Sequence, residues 1–205
     1  MSKVEAVAVS RREQILASAA KLFYERGYHG TGIDEIGANV GVTGPAVYRH
    51  FEGKQAVLDA LLASTFEQVL EETLAIVARG GSPAATARAL IEARVALASG
   101  PLCHRVAIAR TESVHASVRC QARLATTRAA YLDEWMRVMV LLRPRVAVPY
   151  LRMRVDAALL VIGHTVSRDD LDRSGLDEAE ARRLLTAMAW SILMTPTDGA
   201  DFPDS

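Results

Sequence analysis

The stretch Ile33-Asp34-Glu35-Ile36-Gly37-Ala38-Asn39-Val40-Gly41-Val42-Thr43-Gly44-Pro45-Ala46-Val47-Tyr48-Arg49-His50-Phe51 decides the fold. Ile33, Ile36 and Val40 share one face of a short helix over residues 32–40, and Val42, Val47 and Phe51 continue that apolar surface across a break. Gly41 supplies the tight turn, while Gly37 and Ala38 are small enough for two helices to cross closely, as a helix-turn-helix requires. Thr43 is placed to cap the second helix, residues 43–50. Pro45 is tolerated in its first turn because no intrahelical amide bond is lost there. Thr43, Gly44, Ala46, Tyr48, Arg49 and His50 then point outward. Such a helix suits a major groove, since its small N-terminal end can approach base edges and its later residues can donate to phosphates. Thr31 and Gly32 open the preceding helix, whose free amides favour a phosphate, and Lys54 begins the next helix within reach of a nucleic-acid backbone.

Outward from this segment, the alternation of apolar residues that marks a strand is missing and the helical period recurs, so an all-α chain is expected. Ser10 with Glu13 reads as a capping box, behind which Ile15, Leu16, Ala19, Leu22 and Phe23 share a face until Gly27 ends the helix. A longer helix starts near Lys54. Ser82 and Pro83 open another that runs to Ser99. Residues 102–110, 117–142, 149–167 and 177–194 complete the set, the last opened by a second capping box, Asp177 with Glu180.

Of the 205 residues 50% are hydrophobic, and 24 basic side chains balance 24 acidic ones. That excludes a disordered tail protein and a binder of nucleic acid through overall charge. The first 54 residues carry seven basic and six acidic side chains, so neutrality hides no strongly basic domain. A nucleic-acid contact here must use shape, helix ends and spacing. Its salt slope should be modest, because each neutralised phosphate contributes about −0.9. Two cysteines cannot build a disulfide framework, the first ten residues lack the apolar stretch of a signal peptide, and residues 157–163 fall far short of the roughly 20 needed to cross a bilayer. The reading is a cytoplasmic protein with no membrane partner.

Catalytic patterns are poor. Gly30-Thr31-Gly32 followed by Gly37 has the wrong spacing for a dinucleotide loop, and no Walker loop, nucleophile elbow or HExxH pattern occurs. Cys103, His104, His115 and Cys120 match no common zinc spacing, and two buried thiols are the simpler reading. No enzymatic activity, cofactor or metal is expected.

Residues 11–62 resemble the tetracycline-repressor (TetR) family of bacterial transcriptional regulators. The resemblance rests on residues 23–27, Gly30-Thr31, Ile36, Gly41-Val42-Thr43, and Tyr48-Arg49-His50-Phe51 followed by Lys54. It implies that Thr31, Thr43, Tyr48, His50 and Lys54 hold phosphates, with Gly32 beside them, while Gly44, Pro45, Ala46 and Arg49 face or flank the bases. Gly37 departs from the usual Ala and Pro45 from a common Gly, which leaves few base-reading donors. The implied architecture is a three-helix helix-turn-helix DNA-binding domain at residues 10–64, with its motif about residues 32–51. A larger helical effector-binding and dimerisation domain at residues 65–195 and a loose tail at residues 196–205 follow. The implied function is a repressor that releases a palindromic double-stranded operator at the bacterial nucleoid when a small molecule binds.

The dimer has support in the residues themselves. Between positions 155 and 166 only Asp156, His164 and Thr165 are polar, and Leu184, Leu185, Met188, Ala189, Trp190, Ile192 and Leu193 nearly circle the last helix. A helix apolar on several faces must be buried on several faces. Val155, Leu159, Ile162, Leu184, Met188 and Ile192 are the interface candidates. For the effector pocket the candidates are Arg94, His104, Tyr131, Trp135, Met139 and His164, although the stripe Tyr131, Trp135, Met139, Leu142 reads first as core, the two histidines as satisfied core residues, and Arg94 and Arg110 as solvated or ion-paired, the alternative being that they meet an acidic effector. An interior rich in Ala and Leu, with Met and Trp, points to a hydrophobic or acyl-type effector. The alternatives are a helical small-molecule binder or enzyme with a vestigial DNA-binding domain, and an architectural DNA binder with a filled ligand domain.

Overall fold

A computed structural model describes residues 10–164 and 175–196 of the chain, with His164 described in its backbone alone. Helix α1 (Arg11–Arg26) starts where the Ser10 side chain accepts the Glu13 amide at 3.1 Å, a cap that stabilises by about 1 kcal/mol. The reciprocal half of the expected capping box is absent, because the Glu13 carboxylate pairs with Arg105 instead. At the other end Gly27, with φ +73°, donates its amide to the Phe23 carbonyl.

Helices α2 (Ile33–Ala38) and α3 (Gly44–Tyr48) form the helix-turn-helix. Gly41 turns the chain at φ +70°, and the Val42 amide donates back to the Gly37 carbonyl at 3.0 Å. The crossing is close: a Cβ on Gly37 would stand 2.9 Å from the Val42 carbonyl oxygen and 3.0 Å from Val47 Cγ2. Thr43 occupies the N-cap position of α3, yet its hydroxyl makes no capping bond, contrary to the sequence expectation. Two contacts hold α2 on α1, the Ser18 hydroxyl donating to the Ile36 carbonyl at 3.0 Å and the Arg26–Glu35 ion pair at 2.8 Å.

Helix α4 (Lys54–Ala78) is 25 residues long and passes without interruption through position 64, where the sequence division was expected. Beyond it lie α5 (Pro83–Ser99), capped by Ser82 and opened by Pro83, and α6 (Cys103–Thr111). A 3-10 turn at Ser113–His115, unforeseen in the sequence, leads into α7 (Val118–Leu142). Then come α8 (Val148–His164) and α9 (Glu178–Met194), the latter opened by the expected box of Asp177 with Glu180. No strand occurs among the described residues. The part of the predicted α8 beyond His164 lies outside them, as does the tail after Pro196.

The interior divides into two aliphatic clusters. One joins Ile15, Phe23, Ile36, Val47 and Phe51 of the first three helices and the turn that follows to Leu58 and Leu61 of α4, and extends to Ile108 and Leu124. The other packs α5, α7, α8 and α9 around Trp135, Met139, Val155, Ile162 and Leu193. Each such side chain, fully buried, contributes about 1.5–3 kcal/mol. At the junction the Arg105–Glu13 pair ties α6 to α1, the His104 ring lies tilted against that of Tyr24 at 4.7 Å, and His115 meets Tyr28 and His29 at 5.5 Å and 4.5 Å.

Candidate nucleic-acid interface and ligand cavity

Helix α3 is too short to be stable alone, so tertiary contact fixes it. Val47 is fully buried against the first cluster, which turns Thr43, Pro45, Tyr48, Arg49 and His50 to the outside; Tyr48 is 55% exposed. Ala46 is half-buried. Gly44 is buried rather than outward, because its backbone lies against Asp34: a Cβ there would fall 1.7 Å from Asp34 Oδ1.

Two residues assigned to phosphates by the resemblance are engaged internally. Thr31 is 2% exposed, and its hydroxyl donates to the Gly27 carbonyl at 3.0 Å and the Leu22 carbonyl at 3.2 Å, closing the C-terminal end of α1. The Lys54 ammonium lies over the Tyr28 ring at 4.6 Å and donates to the Tyr28 and Thr31 carbonyls at 2.9 Å each, with the His29 carbonyl at 3.5 Å. Both side chains fix the α1–α2 loop, so neither offers a free donor to DNA. The amide of Gly32 is occupied too, donating to Glu35 Oε2 at 2.9 Å. That bond, ahead of the Arg26 charge, holds the Glu35 carboxyl below its usual range.

A cavity of about 590 Å³ opens among α4, α5, α6, α7 and α8. This lies within the range typical of small-molecule sites, about 300–1,000 Å³. Of the candidate effector residues, Arg94 and Tyr131 line it. Trp135 and Met139 are buried in the second cluster instead, His104 sits at the α1–α6 junction, and the side chain of His164 lies outside the description. Arg110, weighed with Arg94 in the sequence as a partner for an acidic effector, also lines it, whereas Phe66 and Val69 of α4, Leu159 of α8, and Arg128 and Arg152 went unrecognised as walls. Burial pushes the Tyr131 phenol above its ordinary pKa, against the pull of the Arg94 charge. Among the described residues no group of three or more His, Cys, Asp or Glu side chains could hold a metal ion, and no helix is long and apolar enough to cross a membrane.

The dimer candidates separate by burial. Val155 and Ile162 are 0% exposed inside the protomer's own core, which corrects their assignment, and Leu159 faces the cavity. Leu184 and Met188 remain 50% and 41% exposed, and Ile192 is half-buried. The large apolar side chains that α8 leaves exposed are Val148, Tyr150, Met153 and Leu160, at 57%, 59%, 73% and 60%, of which Leu160 also borders the cavity.

Residues 15–61 match the family model described as bacterial regulatory proteins, tetR family. The HTH-type transcriptional activator FasR of Mycolicibacterium smegmatis is 44% identical over 52 residues, 25% of this chain and 24% of that protein. The HTH-type transcriptional repressor KstR2 of Rhodococcus jostii is 33% identical over 81 residues, 40% of each chain. The matched segments therefore span well under half of these relatives' own lengths. Among solved structures, a TetR-family transcriptional regulator from Bordetella parapertussis superposes with a TM-score of 0.77 at 16% identity, covering 95% of this chain and 98% of that one. AibR, crystallised with isovaleryl coenzyme A and operator DNA, superposes with a TM-score of 0.73 at 22% identity, covering 87% and 97%. Residues 15–61 thus carry the sequence of the tetR family's DNA-binding region, and over most of its length the chain shares its helical fold with TetR-family regulators of known structure.

Proposed function

We propose that the protein is a homodimeric, ligand-responsive transcriptional regulator that represses from a palindromic operator and has no enzymatic activity. The observation that carries this reading is α3 itself: a helix locked to the core through Val47 and presenting Thr43, Pro45, Tyr48, Arg49 and His50 outward. In the proposed complex Pro45, Ala46 and Arg49 approach the bases. Thr43, Tyr48 and His50 donate to phosphates, while Thr31, Gly32, Gly44 and Lys54 act by holding the α1–α2 loop and the crossing. The DNA-reading unit is residues 10–64 and the effector and dimer unit residues 65–195, with α4 shared. Leu184 and Met188 of α9, with Met153 and Leu160 of α8, supply the apolar face for a second copy.

The cavity is the proposed effector site, taking a hydrophobic or acyl-type molecule. Thr65, Phe66 and Val69 of its wall belong to the same helix as Lys54, whose ammonium grips the α1–α2 loop. From Lys54 to Thr65 is about 16 Å of continuous helix, so a tilt imposed at the cavity moves the reading unit. The effector shifts the equilibrium only by its differential affinity for the two conformers, about 1–3 kcal/mol of coupling. Enrichment of bound duplexes from a random DNA pool, followed by hydroxyl-radical footprinting, tests the reading. Two protected half-sites related by a dyad are expected, their centres about 34 Å apart or somewhat more. Sequence-independent binding, or a single protected site, contradicts it.

A further inference from the structure

The cavity contains buried polar atoms whose needs the protein does not meet. Nη1 of Arg94 and Oη of Tyr131, both on cavity-lining residues, have no hydrogen-bond partner, and neither has Nε1 of Trp135, whose ring meets Tyr131 edge-on at 6.4 Å. Arg94 forms no salt bridge among the described residues. Arg94 and Trp135 are near enough to the phenol oxygen to favour its charged form as donors, yet neither meets it in hydrogen-bond geometry. All three groups can donate, and the phenol oxygen is the one acceptor among them. Buried polar groups in native proteins are satisfied with few exceptions, and each exception calls for a missing partner. The partner missing here is an acceptor. Among the described lining residues Arg128 and Arg152 add positive charge and Asp156, 3.7 Å from Arg152, is the acid, while Glu72 acts on the Tyr131 phenol from outside the lining.

We propose that the effector is a small carboxylic acid whose carboxylate is seated on Arg94 and Tyr131, with Trp135 behind the phenol, and whose apolar body lies against Phe66, Val69 and Leu159. This rests on the reading of the cavity as the effector site. The planar guanidinium fork matches a carboxylate in two parallel bonds, and the phenol supplies a third donor. An acyl thioester entering hydrocarbon-first would place methylenes beside a buried guanidinium and leave it without a counter-charge.

The test uses the full chain, with sodium decanoate and sodium phenylacetate as probes and methyl decanoate and methyl phenylacetate as uncharged counterparts. Calorimetric titration and thermal melting are run on wild type, Arg94→Met and Tyr131→Phe. The expected result is that at least one acid binds and raises the melting temperature, that its ester binds roughly tenfold or more weakly, and that Arg94→Met weakens the acid by a similar factor. Because the guanidinium has no acidic partner in the ligand-free protein, Arg94→Met should also melt higher than wild type without ligand, and Tyr131→Phe no lower. Equal binding of acid and ester, no binding of either acid, or an unliganded Arg94→Met that melts well below wild type overturns the proposal. Binding of enriched DNA by unliganded wild type is measured separately. Its failure removes the regulatory reading and leaves the carboxylate seat standing, and success there with equal acid and ester binding does the reverse.

Discussion

Thr31→Val separates a structural role from a DNA-contacting one at a position where the two readings conflict. Valine keeps the volume and branching of threonine and deletes the hydroxyl. That hydroxyl is buried and spans the Gly27 and Leu22 carbonyls at 3.0 Å and 3.2 Å. The Leu22 carbonyl still lies within the hydrogen-bond ladder of α1, but the Gly27 oxygen at its C-terminal end loses its partner. Losing one net hydrogen bond, about 0.5–1.5 kcal/mol, and leaving an acceptor partly unsatisfied gives an expected destabilisation of about 1–2 kcal/mol. In a chain of this size that lowers the melting temperature by about 2–8 °C and the urea midpoint by roughly 0.5–1 M. Both are measured at equal protein concentration, because a dimer's stability depends on it. Under conditions where wild type and variant are both fully folded, DNA affinity should agree within about twofold, since no phosphate contact has been removed. An unchanged urea midpoint together with a tenfold loss of DNA affinity refutes the reasoning and returns Thr31 to the DNA.

Other consequences follow from particular contacts. Glu13→Gln removes the carboxylate that faces Arg105, whose side chain is 9% exposed, while that of Glu13 is 43% exposed. The expected destabilisation is about 1–3 kcal/mol, below that of a fully buried pair because of this exposure, and combining Glu13→Gln with Arg105→Met should recover part of it in urea melts. Burial, then the charge of Asp59, pushes the Cys120 thiol up to about 11, whereas Cys103 is half-exposed. In the native protein a thiol reagent at pH 7.5 should therefore label Cys103 on mixing and Cys120 at least about 100-fold more slowly, the two converging in urea. The Glu35 carboxyl is held below its ordinary 4.5 by the Gly32 amide first and Arg26 after it. Its stabilisation is thus present above pH 4.5 and lost as pH falls through the lowered folded-state value, so Glu35→Gln should be less stable than wild type at neutral pH and the two should converge in acid denaturation curves.

The ends of the helices were legible because caps are local. Ser10, Ser82, Ser117 and Asp177 each accept an amide three residues ahead, and Pro83 stands where a first-turn proline belongs. Most of the outward row of α3, Thr43, Tyr48, Arg49 and His50, was legible from the burial of Val47, whereas Gly44, expected outward, is buried against Asp34 and Ala46 is half-buried. What escaped depends on atoms rather than positions. Spacing places Lys54 and Thr31 near a groove, but the carbonyls at the C-terminal end of α1 and in the loop after it claim their donors first. In α8 the run of apolar residues 157–163 carries no phase, so buried Ile162 could not be told from exposed Leu160 until α9 covered one side. The Glu13–Arg105 pair joins residues 92 positions apart, and nothing local announces it.

The central claim is that α3 and its C-cap contact DNA, Tyr48 at a phosphate and Arg49 at the bases. Its most direct test is the equilibrium affinity of full-length wild type and the Tyr48→Phe, Arg49→Ala double variant for an enriched operator, with circular dichroism and light scattering confirming that both are folded dimers. Each protomer of the variant lacks the phenol hydroxyl and the guanidinium, two donors to DNA at about 1 kcal/mol or more apiece, which predicts an affinity lower by at least roughly 100-fold. A double variant that binds the operator as tightly as wild type contradicts the account.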